Sequence, residues 1–219
     1  MATVPPAQAP AYRPTWLLVL GAIMVLAGGR SLVNGVQKLR DPLTVLGGPV
    51  VMGSVATETE LDLERKLAAA SAAAVAPHGT GVRVAAIVEV LAALFTLYAA
   101  AAVLARDRHG RALALGVAFV GIVYQLATLP VYVALMRDYA AHGVPLLAQA
   151  MVLQAKPADG RAPAVDDLVR RLPSAMVGWI VLLTAVGIAG SLVLLRYFGG
   201  RRGRVLYGIE PARDKKPGR

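Results

Sequence analysis

Cysteine is absent from the 219 residues. That excludes disulfides, thiolate metal sites and thiol catalysis, and with them the four-helix membrane families whose outer loops are stapled by disulfides. Aromatic residues are scarce, at 5%, so helices built from this chain must pack through small residues and not through large interlocking rings. The histidines His78, His109 and His142 all fall between apolar runs. No metal site and no cofactor is expected. The glycine pairs Gly28-Gly29, Gly47-Gly48 and Gly199-Gly200 lack phosphate-loop spacing and a following Lys-Ser. Asp166-Asp167 is followed one turn later by Arg170 and Arg171, which reads as a salt-bridged helix face and not as a paired-carboxylate centre.

What the chain has in abundance is apolar length. Hydrophobic residues make up 57%, and they gather into four runs, about 14–37, 81–105, 112–136 and 174–198. Each exceeds the ~20 residues a helix needs to cross a ~30 Å hydrocarbon core at ~1.5 Å per residue. The expected fold is therefore an all-α integral membrane protein, a four-transmembrane-helix bundle filling residues 14–198. A tail of residues 1–13 precedes it and a basic tail of residues 199–219 follows. A separate catalytic domain has no room.

Charge sets the expected orientation. The net charge is +10, and its distribution argues against a nucleic-acid partner. The two tails and the connection between the second and third runs hold twelve bases, among them Arg13, Arg106, Arg108, Arg111 and Arg196, against the acids Asp107, Glu210 and Asp214. The other two connections, 38–80 and 137–173, hold nine bases and nine acids. Bases beside spans resist translocation, so the basic side is cytoplasmic and both termini face inward. The bias of arginine over lysine suits a bacterium with a GC-rich genome, which places the protein in a bacterial inner membrane. A signal-peptide reading of the first run competes, but its apolar pattern continues past the small residues Ala27-Gly28-Gly29 through Leu32, Val33 and Val36. Cleavage is not expected.

Both outer loops should contain short helices. In the first, Asp41-Pro42 ends an extended first span, Gly47-Gly48-Pro49 makes a turn, and Thr57 with Glu60 resembles a capping box for a helix over Glu58–Ala76. In the second, Val144–Ala155 is too short to span, and lies on the membrane surface or against the first loop's helix. A polar stretch from Lys156 to Pro163 separates it from an amphipathic turn at Val165–Leu172. The segments Asp62–Leu67 and Asp167–Leu172 echo one another, which raises an internal duplication of span, loop, helix and span.

Ionisable groups inside spans are costly and so draw attention. Arg30 and Glu89 each lie four residues from the middle of their runs, about 6 Å outside the midplane at ~1.5 Å per residue, and are expected to pair. Ala27, Ser31 and Gly35 on one span, with Ala85, Ala86, Ala92, Ala93 and Thr96 on the other, offer small faces for close packing. Asn34, Tyr124 and Gln125 complete an expected polar cluster, with a kink at Pro130 beyond it. The cluster reads first as a structural ion pair that selects which helices meet. Its sharper reading is an ion-responsive site whose carboxyl titrates. Arg201, Arg202 and Arg204 are placed to meet lipid head groups, and Trp16, Trp179, Tyr132, Tyr139 and Tyr197 stand near span ends.

With no catalytic constellation, the expected function is a non-catalytic membrane component: a scaffold, assembly factor or accessory subunit of a bacterial envelope complex. Its partners would be the lipid bilayer and other membrane proteins or itself. The alternative is a small oligomeric transporter or channel subunit that uses the polar cluster. A water-reachable cavity at the cluster would favour that alternative, and a dry, sealed bundle would count against it.

Overall fold

The computed structural model describes residues 15–46, 58–154 and 165–207, with backbone alone for 151–154. Arg13, the turn at 47–49, Thr57, the stretch 156–163 and the bases from Arg213 onward lie outside the described residues. Those described form helices α1 (Thr15–Arg40), α2 (Glu58–Val75), α3 (Gly79–Ala105), α4 (Gly110–His142), α5 (Val144–Gln154), α6 (Val165–Gly199) and α7 (Arg201–Leu206). Short 3-10 turns occupy Pro42–Leu46 and Ala76–His78. No strand occurs among the described residues. The helices α1, α3, α4 and α6 are long and apolar enough to cross a membrane, which makes this a multi-pass membrane protein.

Local chemistry explains the breaks. Pro42 cannot continue α1, and Asp41 turns the chain instead: its carboxylate accepts the Leu43 amide at 2.9 Å and its carbonyl accepts the Thr44 hydroxyl at 2.8 Å. At the other end of the molecule α3 stops where Arg106 adopts φ 57°, the left-handed conformation that lets its amide reach the Ala102 and Val103 carbonyls. Asp107 then accepts the His109 amide at 2.7 Å and launches α4. Both α4 and α6 continue through an internal proline, Pro130 and Pro173 respectively.

Packing runs from α1 to α3, from α3 to α4, and from α4 to α6, while α1 and α6 barely touch. The first of these seams is the tightest. Gly21, Gly28 and Gly35, at seven-residue intervals, lie against α3, where Ala86, Ala93 and Ala100 are buried at the same interval. A Cβ built on Gly35 would stand 2.8 Å from Val90 Cγ2 and 3.3 Å from both the Ala86 carbonyl oxygen and the Val90 amide nitrogen. On Gly28 it would meet Leu97 at 3.0 Å and the Ala93 carbonyl at 3.3 Å. Glycine is required here because the backbones approach too closely for a side chain.

At the end bearing the α3–α4 turn, an apolar cluster ties all four long helices together. Leu17, Leu20 and Met24 meet Ala99, Ala100, Val103, Ala114, Val117 and Phe198 there. Helix α7 folds against it, with Gly203 under the Phe198 carbonyl and the Tyr207 ring 6.5 Å from that of Phe198. Burial raises the Tyr207 phenol above its ordinary pKa. At the loop end, α5 packs on α2 through Ala150, Leu146 and Leu147 against Leu63 and Leu67. Val75, Val82 and Leu135 form a further cluster under Leu43, Val45 and Leu46. His78 and Asp138, 60 residues apart, share a hydrogen bond at 2.7 Å between Nε2 and Oδ2, so a carboxylate does reach a histidine that has none nearby in sequence. The echoed segments occupy different places: Asp62–Leu67 lies in the first half of α2, well before α3, whereas Asp167–Leu172 forms the first turns of α6 itself. That placement counts against a duplication.

Candidate functional site

Glu89 is the sole acidic residue within the four apolar runs, and α3 buries it, leaving it 7% exposed. Its partner is Lys38. The ammonium donates to Glu89 Oε2 at 2.7 Å, and the Tyr124 hydroxyl donates to the same oxygen at 3.1 Å. Lys38 also lies 3.4 Å from the Tyr132 hydroxyl and 5.3 Å from the centre of that ring, which adds a cation–π contribution. One carboxylate, one ammonium and two phenols from α1, α3 and α4 thus make a compact, partner-satisfied centre in the loop half of the molecule.

The expected Arg30–Glu89 pair does not form. Arg30 is exposed on α1, with no partner among the described residues. The physical reason is the helix face. Gly35 lies against Ala86 and Val90, which sets Glu89 about one turn from both Arg30 and Lys38. At ~100° per residue, however, Arg30 points about 140–160° away from the Gly28–Gly35 line that meets α3, whereas Lys38 stands only about 60° from it. Lys38, counted with the loop bases on sequence grounds, is held inside by the last turns of α1. The small face is displaced too, because Gly21, Gly28 and Gly35 meet α3 while Ala27 is exposed. Of the other expected members, Tyr124 bonds Glu89 directly, whereas Asn34 and Gln125 line the surrounding cavity without joining the bonded set.

Two cavities flank this centre in the gap between α1 and α6. The one toward the loops, about 580 Å³, is lined by Asn34, Gln37, Lys38, Glu89, Gln125 and Tyr132 with Trp179 and Leu183 of α6. The one toward the termini, about 450 Å³, shares Glu89, Tyr124 and Gln125 but is otherwise walled mainly by Leu20, Ile23, Met24, Val117, Val120 and Leu194. Beyond it the apolar cluster of Leu17, Val103 and Phe198 closes the molecule. Past the middle the described lining of that cavity carries only the hydroxyls of Thr96 and Ser191 among its polar groups, and no charged side chain beyond Glu89.

Comparison with protein-family models, with curated proteins and with solved structures finds no match. Function must be argued from the geometry. No group of three or more metal-binding side chains occurs among the described residues. Of the arginines read as head-group contacts, Arg201 and Arg202 are exposed and, with Arg196 and Tyr197, border a recess of about 470 Å³. Arg204 instead turns inward, and its guanidinium donates to the Gly199 carbonyl at 3.5 Å. Arg111 is likewise committed, donating to the Phe198 carbonyl at 2.7 Å.

Proposed function

We propose that this protein is a non-catalytic accessory or scaffold subunit of a bacterial envelope complex. It is a four-span bundle of the inner membrane with both termini cytoplasmic and with Arg201 and Arg202 against lipid head groups. One observation carries the reading: the ion pair Lys38–Glu89 is satisfied from within the molecule, while the α1–α6 side beside it is left open. A buried ion pair whose partners come from the same chain serves to fix which helices meet. An unclosed side in a membrane protein is a place for another helix, since small and polar residues there reward close packing.

The test is to purify a tagged copy from its native membrane in mild detergent and identify what accompanies it. A membrane protein recovered in fixed ratio is the expected result. Recovery of the protein only with itself would overturn the reading. A specific observation favours one alternative, a small oligomeric transporter subunit: the cavity of about 580 Å³ reaches Glu89 from the loop side. Against it stands the apolar closure of the opposite half. Solute or ion flux in proteoliposomes that disappears in Glu89→Gln is the result that would establish the alternative.

A further inference from the structure

The gap between α1 and α6 has two walls with the spacing of a helix-packing seam. On α1 the residues Ile23, Ala27, Arg30, Asn34 and Gln37 recur at alternating intervals of four and three, the pattern that keeps one stripe facing a neighbouring helix. Ile23, Ala27, Asn34 and Gln37 line the two cavities; Arg30 falls on the same stripe by its spacing, exposed at the edge of the gap and lining neither cavity. On α6, Leu183, Gly187, Gly190 and Leu194 follow the same rhythm and line the opposite wall. A Cβ on Gly190 would meet nothing within 4 Å, so no helix among the described residues packs on that glycine.

Arg30 identifies what is missing. It stands ten residues, about 15 Å at ~1.5 Å per residue, short of the loop end of α1 and within its apolar run. It is exposed and has no partner among the described residues. An arginine in hydrocarbon is costly unless a carboxylate meets it. A second copy of this chain has none to offer, because Glu89 is the sole acid in its apolar runs and is already held by Lys38 and Tyr124.

We infer that the α1–α6 groove receives a transmembrane helix of a different protein, one that carries an Asp or Glu at the depth of Arg30. This rests on the accessory-subunit reading and names the partner's chemistry. Bidentate pairing of guanidinium with carboxylate would set both the register and the identity of the incoming helix. Asn34 and Gln37 would supply further hydrogen bonds toward the loop end, and Gly190 would admit its backbone closely.

The test places a photo-crosslinking phenylalanine analogue at Ile23 or at Val193, one on each wall, and at Leu91 on the outer face of α3 as a control, in cells. Both groove positions should yield an adduct with the same polypeptide, joined through an apolar segment of roughly 20 residues bearing a carboxylate, and Leu91 should not. Arg30→Glu should cut that yield ~10-fold or more by like-charge repulsion, and reversing the partner's acid to lysine should restore it. Should Arg30→Glu fail to reach the membrane, Arg30→Gln, which removes charge and keeps polarity, should lower the yield in protein that elutes as a single species. Adducts with lipid alone, adducts with a second copy, or a yield indifferent to Arg30 would each overturn the inference. If the purified complex persists while the groove yields no adduct, the accessory reading stands and this groove is not its site.

Discussion

The two antiparallel helix pairs of this molecule solve the same packing problem differently. Between α1 and α3, glycines at every seventh position bring backbones together, and the pair is then locked at its loop end by Lys38 and Glu89. Between α4 and α6 contact passes through side chains: a Cβ on Gly121 would meet the Ser191 hydroxyl at 2.7 Å, and one on Gly187 would meet the Gln125 amide at 2.5 Å. Among the described residues no ion pair ties α6 to another helix, and only Thr184 and Phe198 of its length are buried. The contrast teaches that the membrane core here has a rigid half and an adaptable half. The open groove lies where they fail to meet.

The largest expected effect comes from unlocking the rigid half. Glu89→Ala strands the Lys38 ammonium in a low-dielectric interior, and loss of one member of a buried pair costs about 3–5 kcal/mol. Thermal unfolding in detergent, followed by size-exclusion chromatography, should show a large fall in midpoint. Glu89→Gln keeps the shape and can still accept from Lys38 and Tyr124, so its loss should be clearly smaller. Replacing both charges at once, Lys38→Met with Glu89→Leu, should recover most of the stability lost by Glu89→Ala, because the desolvation of both ions is removed together. Equal losses in all three variants would show that the lock is not electrostatic.

This lock also marks where sequence reasoning reached its limit. Apolar run length is enough to place four membrane-spanning helices, because the hydrocarbon thickness imposes it residue by residue. Depth matching by run midpoints fails, because an apolar run does not announce how far its helix continues. Here the glycine contacts set Glu89 level with about residue 34 of α1, one turn from the level that midpoint matching gives, and they turn Arg30 to the side of α1 away from α3. Lys38 therefore enters the core, Arg30 leaves it, and Tyr132 joins from α4 although its position near a span end suggests a belt residue. A sequence signal for the contacting face existed in Gly21, Gly28 and Gly35. Set against Ala86, Ala93 and Ala100, this glycine heptad fixes the face of α1 that meets α3, with Lys38 at the edge of that face beside Gly35 and Arg30 on the opposite side. The pairing of His78 with Asp138 had no such signal, since only the fold of the loop end brings α4 beside the turn that precedes α3.

The glycines then grade the comparison itself. Gly35→Ala forces a Cβ against backbone atoms on α3 that cannot move independently, and overpacking of this kind costs about 1–3 kcal/mol. Gly28→Ala should cost less, because its nearest neighbour is the Leu97 side chain. Gly21→Ala should cost least of the three, since only the Leu104 side chain is in its way and can rotate aside. Gly187→Ala meets the far end of Gln125 and should fall at or below the cost of Gly21→Ala. If Gly187→Ala matches Gly35→Ala in detergent unfolding, the division into a rigid and an adaptable half is wrong.

The smallest effect sharpens the same line from the other side. Gly29 is adjacent to Gly28 on α1, yet a Cβ there would meet nothing within 4 Å. It has no packing reason to be glycine, and a helix interior generally favours alanine over glycine by roughly 0.5–1 kcal/mol. Gly29→Ala should therefore leave the unfolding midpoint unchanged or raise it slightly, in direct contrast to Gly28→Ala one residue away. A loss at Gly29 as large as that at Gly28 would mean that sensitivity follows the α1 backbone and not its contact with α3. In that case the close approach of the two helices would not be what holds the rigid half together.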